Sequence, residues 1–177
     1  MSTRTGTETD KRVESASSGA DAAILFLRVI IGVLMVGHGT GKLFGWFNQS
    51  GIKGTEGFFK SVGYEPAHAF AIADGIGEVV VGVLLVFGFL VPLAAAYLIG
   101  ELINAAWVKS PKGFWISNDG YEYEVVLMIL AIGIAIAGAG AYAIDRKGGW
   151  FGNGAVRAVV AVVLGLIGAG VLAIIRK

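Results

Sequence analysis

The sequence predicts an all-α, polytopic transmembrane bundle, and three observations predict it. Hydrophobic residues make up 55% of the chain and charged residues only 15%, against about 25% charged in soluble domains, and the mean hydropathy is +0.74. Five apolar stretches recur, at about Ala22 to Phe44, Ala67 to Phe89, Pro92 to Val108, Tyr121 to Ile144 and Ala155 to Ile175, each near the ~20 residues needed to cross a bilayer. The 28 glycines are spread through those runs, as expected where helices pack closely in lipid, because a missing side chain lets backbones approach. The net charge of +1 gives no basic surface that would argue for nucleic acid, and the absence of cysteine excludes disulfides, thiolate nucleophiles, iron–sulfur ligation and Cys-based zinc sites within this chain.

Taken in order, residues 1–20 are Ser, Thr, Gly, Asp, Glu, Lys and Arg with almost no large apolar side chain, which predicts a disordered polar tail. The first apolar run is long and ends in His38 and Lys42, the pattern of an uncleaved span rather than of a secretory signal. Pro92, just after Gly88, separates the second and third stretches into a tight hairpin, since proline removes a helix donor and restricts the residue before it. The link from Gly45 to Pro66 carries Gly51, Gly54 and Gly57 with Phe58, Phe59 and Lys60, suited to an interfacial amphipathic turn or short helix. The link from Lys109 to Gly120 is polar and aromatic, and by parity these two long links share one membrane face. Asp145-Arg146-Lys147-Gly148-Gly149 joins the last two helices on the other. Residues 21–147 thus form a four-helix transmembrane domain and 148–177 one additional C-terminal helix, in a multi-pass membrane protein. Cationic residues are balanced between the faces, so the positive-inside rule does not orient the chain; the long polar tail favours a cytoplasmic N-terminus.

The chemistry gathers on the face of the two long links. On an ideal helix His38 and Lys42 stand about 40° apart, and Arg28 lies on the same stripe. Arg28 and Lys42 are near the helix ends, from which long cations snorkel to the headgroups, whereas His38 lies deeper. Asp74 and Glu78 in the second helix, Glu101 and Asn104 in the third, and Tyr121 and Glu122 opening the fourth all fall toward that face. The expected pocket is therefore His38, Lys42, Asp74, Glu78, Glu101, Asn104, Tyr121 and Glu122, with the cations neutralising the carboxylates, because unpaired charge in a span is costly. Gly39-Thr40-Gly41-Lys42 is not a phosphate-binding loop: Leu43 follows where Ser or Thr should bind magnesium, and Val36 stands where a glycine is required. No metal is expected, because carboxylate di-metal bundles take a Glu-x-x-His pair from each of two helices and two such pairs do not occur here. Paired histidines for haem are lacking too.

The motifs Leu27-Arg28, Gly37-His38-Gly39-x-Gly41-Lys42-Leu43-Phe44-Gly45, Gly54-Thr55-x-Gly57-Phe58-Phe59, Gly77-Glu78 and Gly120-Tyr121-Glu122-Tyr123, in that order and spacing, resemble the DoxX family of membrane proteins over about Leu25 to Asp145. The resemblance implies a four-helix membrane core, to which this chain adds its fifth helix and its polar tail. It also implies an association with redox chemistry: the related DoxD type is a subunit of a quinone-linked thiosulfate oxidoreductase, and some relatives partner with superoxide-detoxifying and sulfur-transfer enzymes. The function expected on that basis is a membrane subunit or partner of a redox assembly, with the pocket taking a quinone head group or small anion and the redox centre supplied by a neighbouring protein. The alternative is a non-catalytic membrane scaffold or small-molecule carrier.

Overall fold

The computed structural model describes residues 4–146 and 154–176, and every regular element among them is helical: α1 (Arg4–Phe44), α2 (Gly51–Ser61), α3 (Ala67–Phe87), α4 (Val91–Lys109), α5 (Glu122–Ala137) and α6 (Gly154–Ile175), with short 3₁₀ turns in the links. Four helical segments are long and apolar enough to cross a membrane, Ser18–Phe44, Ala67–Phe87, Val91–Lys112 and Gly154–Ile175. The Gly45 to Pro66 link contains the short helix its spacing suggested, now α2.

Of the residues read as a polar tail, those from Arg4 onward are helical and continuous with the first span. Once a helix is nucleated, each added residue gains a hydrogen bond, and this stretch holds no proline to stop it. The fourth apolar helix ends at Ala137, not at Ile144, and its 16 residues reach only about 24 Å. Gly138 and Gly140 have positive φ, 83° and 75°, which favours glycine, and the chain to Arg146 is irregular. The expected domain boundary at 147/148 lies outside the described residues.

Non-helical backbone is tolerated at membrane depth only where protein satisfies its polar groups. Here Ile144 N–H donates to Phe87 O and Asp145 N–H to Gly88 O, while Ala141 N–H donates to Asp21 Oδ1 at 2.9 Å. Arg28 completes the arrangement. Its Nη1 donates to Leu85 O at 2.8 Å and its Nη2 to Tyr142 O at 2.8 Å, and the residue is fully buried. The sequence reading of Arg28 as a snorkelling cation is thereby corrected: it caps the C-terminal carbonyls of α3, where a cation also complements the helix dipole. α3 itself closes in a Schellman motif, Phe89 N–H to Leu84 O and Gly88 N–H to Leu85 O, with Gly88 at φ 66° and room only for hydrogen beside Arg28. The hairpin is then tied by Asp145 Oδ2, which accepts from Leu90 N–H at 2.6 Å.

α1 and α3 pack backbone to backbone. A Cβ added at Gly82 would stand 2.5 Å from Gly32 O, one at Gly32 the same distance from Gly82 O, and one at Gly39 2.5 Å from Gly75 O. The pairs 32–82 and 39–75 run in opposite chain directions, so the helices are antiparallel, and the seven-residue spacing on both keeps one face of each against the other. α4 packs on α5 and α6 as well as on α3; its contacts with α6 advance from Gly100–Gly165 to Asn104 and Trp107 beside Ala173, so those two helices are parallel. The core joins Ile31 and Met35 of α1, Leu85 of α3, Leu98 and Ile99 of α4 and Ala131 of α5.

The glycine contact predicts that Gly82→Ala destabilises the detergent-solubilised protein by about 1–3 kcal/mol through overpacking. Gly168→Ala, in α6 with nothing within 4 Å of the added carbon, should be neutral or slightly stabilising. Thermal unfolding of the two side by side checks this; equal midpoints would mean that α1 and α3 do not touch at this register.

Candidate functional site

The centre of the site is the ammonium of Lys42, in the last turn of α1. Its Nζ lies 2.6 Å from Asp74 Oδ2, 2.8 Å from Glu78 Oε1 and 3.8 Å from Glu101 Oε1, so α1, α3 and α4 each supply part of one cluster. The register of the glycine contact places these groups: Lys42 follows Gly39 by three residues, and Asp74 precedes Gly75 by one. Gly41 leaves the space that the Gln49 side chain fills, and Thr55 of α2 donates to Lys42 O at 3.1 Å. The Gly39-x-Gly41-Lys42 motif is therefore a packing device that lets α3 and the following link close around the lysine.

The Glu78 side chain is only 4% exposed, and the second oxygens of Glu78 and Glu101 are buried without a hydrogen-bond partner among the described residues. With all three carboxylates ionised against one ammonium, the cluster carries two negative charges in excess. One ligand oxygen from each carboxylate lies within 4.8 Å of the others, a set of hard donors suited to a cation, and the lysine ammonium itself stands in that position. The Tyr97 hydroxyl donates to Asp74 O at 3.4 Å, in a space that exists because residue 77 is glycine.

The other residues expected in the pocket are distributed elsewhere. His38 Nε2 is 3.3 Å from the Tyr123 hydroxyl, with the rings tilted at 6.2 Å. Asn104 Nδ2 donates to Gly100 O, and its Oδ1 accepts from the Tyr64 hydroxyl at 3.4 Å. Tyr121 packs edge-on against Phe114. Glu122 Oε2 accepts from Ile116 N–H at 3.0 Å, which ties the α4–α5 link rather than joining the Lys42 cluster. The carboxylate of α5 that turns inward is Glu124, buried and bonded to Lys109 Nζ at 2.5 Å. Its signal was available: Glu124, Leu127, Ala131 and Ile134 form one buried stripe, and Glu122, two residues away, stands about 200° around the helix.

Outside the spans, the link between α2 and α3 buries Tyr64. Burial pushes its hydroxyl above the usual phenol range, and the nearby Arg176 guanidinium draws it back in part. Arg176 at the end of α6 donates through Nε to Val62 O at 2.6 Å, so α6 closes against this link.

The fold and site define a multi-pass helical membrane protein with a charged cluster inside its bundle. Residues 23–110 match the DoxX family model, and the chain belongs to the DoxX family. The match runs from the apolar part of α1 to the end of α4 and so contains Lys42, Asp74, Glu78 and Glu101; α5 and α6 lie beyond it. No curated protein and no solved structure matches the chain.

Removing the ammonium leaves the carboxylates facing one another, and breaking a buried ion pair costs about 3–5 kcal/mol. Lys42→Met is expected to lower the unfolding free energy in detergent by that order. Adding Glu78→Gln should recover part of the loss, since groups in one network are not additive. A Lys42→Met protein as stable as the native one would show that the cluster does not depend on this pairing.

Proposed function

We propose that this protein is the membrane component of a redox assembly and that the Lys42–Asp74–Glu78–Glu101 cluster serves that assembly as an intramembrane proton-exchange site. The single observation carrying this reading is the pair of unpartnered, buried carboxylate oxygens on Glu78 and Glu101 beside an ammonium already shared among three acids. Ionisable groups at such positions mark ion and proton pathways, and an exchangeable cation, a proton in the first instance, completes the balance of charge. The redox half of the reading rests on the family resemblance.

A quinone head group needs hydrogen-bond donors for its carbonyl oxygens. Lys42 is engaged by carboxylates, and a small anion has no place among them. His38 and Tyr123, half-buried and 3.3 Å apart, are the donors better suited to a quinone. In the second reading, the scaffold or carrier, the cluster only holds helix register.

Two measurements separate these readings. Mass spectrometry of what co-purifies with the tagged protein in mild detergent should find a stoichiometric oxidoreductase or sulfur-handling enzyme; recovery of the chain alone or with lipid only favours the scaffold or carrier. Glu101→Gln should lower quinone-linked electron transfer in native membranes by about a hundredfold, the low end for loss of a proton-transfer group, with membrane abundance unchanged. Unaltered transfer would remove the cluster from the mechanism.

For orientation we propose a cytoplasmic N-terminus, which puts the two long links and the end of α6 on the outer face. A reporter active only outside the cytoplasm, fused after Lys177, should then be active. Activity only from a cytoplasmic reporter at the same position overturns the orientation.

A further inference from the structure

Where α4 and α6 end, beside the link that follows α2, a cavity of about 200 Å³ opens between Asn104, Trp107, Ala173 and Arg176. It belongs to neither the Lys42 cluster nor the His38–Tyr123 pair. A water molecule takes about 30 Å³ in the liquid, so the space holds a polar group the size of a phosphoryl with its solvent.

Four features give this cavity its chemistry. The Arg176 guanidinium is held in place by its Nε bond to Val62 O, which leaves the two terminal nitrogens as a planar fork, and no carboxylate pairs with it among the described residues. The Asn104 amide is fixed by Gly100 O and the Tyr64 hydroxyl, and its nitrogen keeps a second hydrogen to donate. Trp107 is 66% exposed at the rim, the side chain favoured at headgroup depth. No acidic residue lines the space. A guanidinium fork matches phosphate oxygens two at a time.

We propose that this cavity binds a phosphate group through Arg176 and Asn104, presented either by an anionic lipid headgroup or by a soluble phosphate. The proposal stands apart from the proton-exchange reading, since none of its residues belongs to that cluster.

The test uses the full-length, delipidated protein in mild detergent, with thermal stability followed as phosphatidylglycerol, phosphatidylcholine or inorganic phosphate is titrated. Saturable stabilisation by phosphatidylglycerol, with apparent affinity falling about tenfold in Arg176→Gln and less in Arg176→Lys, is the expected result. Ala173→Leu fills the cavity without touching the charge and should abolish the effect as well, which decides the matter should Arg176→Gln fail to fold. Stabilisation by the lipid alone identifies a headgroup as the source; equal stabilisation by inorganic phosphate identifies a soluble phosphate. No saturable effect from either, or an effect unchanged in both Arg176→Gln and Ala173→Leu, overturns the proposal.

Discussion

The bare contact of α1 with α3 is the constraint on which the rest of this bundle depends. In lipid there is no hydrophobic drive to press one apolar helix on another, so association rests on close packing and on polar groups that find partners. Gly32 and Gly39 meet Gly82 and Gly75 with no side chain between them, and that proximity fixes the register as well as the distance. A slip of one residue would turn a helix by about 100° and carry Lys42 off the stripe of Asp74 and Glu78. The ion cluster in turn holds what the glycines permit. Its three acids come from α3 and α4, so the same ammonium draws the second helix pair onto the first.

The opposite end of the bundle obeys the same rule with different groups. There α3 stops at Gly88 with carbonyls left over, α5 stops short at Ala137, and the chain between α5 and Arg146 is irregular. Each would be expensive in hydrocarbon if left alone. Arg28 answers the first and the last together, because a planar guanidinium can donate to Leu85 O and to Tyr142 O at once, whereas a lysine would offer a single point of charge. Asp21 and Asp145 meet backbone N–H groups of the same region. The two ends thus divide the basic stripe of α1 between them: Arg28 serves backbone carbonyls, and Lys42 serves carboxylates.

Much of this was legible in the residues. Apolar runs of crossing length, with Pro92 as punctuation, give the helices of the bundle, and parity alone brings Lys42, Asp74, Glu78 and Glu101 to one face, where they do meet. Parity resolves depth and not direction around a helix, however. Glu122 was drawn into the pocket for its depth, although the buried stripe of α5 passes through Glu124; Asn104 shares a face with Glu101 but is claimed by Tyr64. The length of α5 was hidden for another reason. Composition through Ile144 remains apolar, and the break comes from Gly138 and Gly140 together with the unmet carbonyls of α3, a tertiary demand no local pattern contains. Arg28 was misread on the same ground, since snorkelling is the ordinary fate of a cation near a helix end and only the termination of α3 beside it supplies a buried partner.

α4 carries the consequence of these placements for function. Its polar residues Tyr97, Glu101 and Asn104 follow at four and then three residues, the spacing of one helical stripe, so a single helix passes from the anionic cluster to the cationic cavity within about one turn. At Glu101 the surroundings are acidic, walled by the glycine-packed helices, and suited to a proton or other cation. At Asn104 they open on Arg176 and are suited to an anion. Surroundings of opposite charge thereby stand on neighbouring turns, and the contrast requires α6, because Arg176 comes from the helix that lies beyond the part of the chain matching the family. Arg176 thus comes from outside residues 23–110, whereas Lys42, Asp74, Glu78 and Glu101 all lie within them.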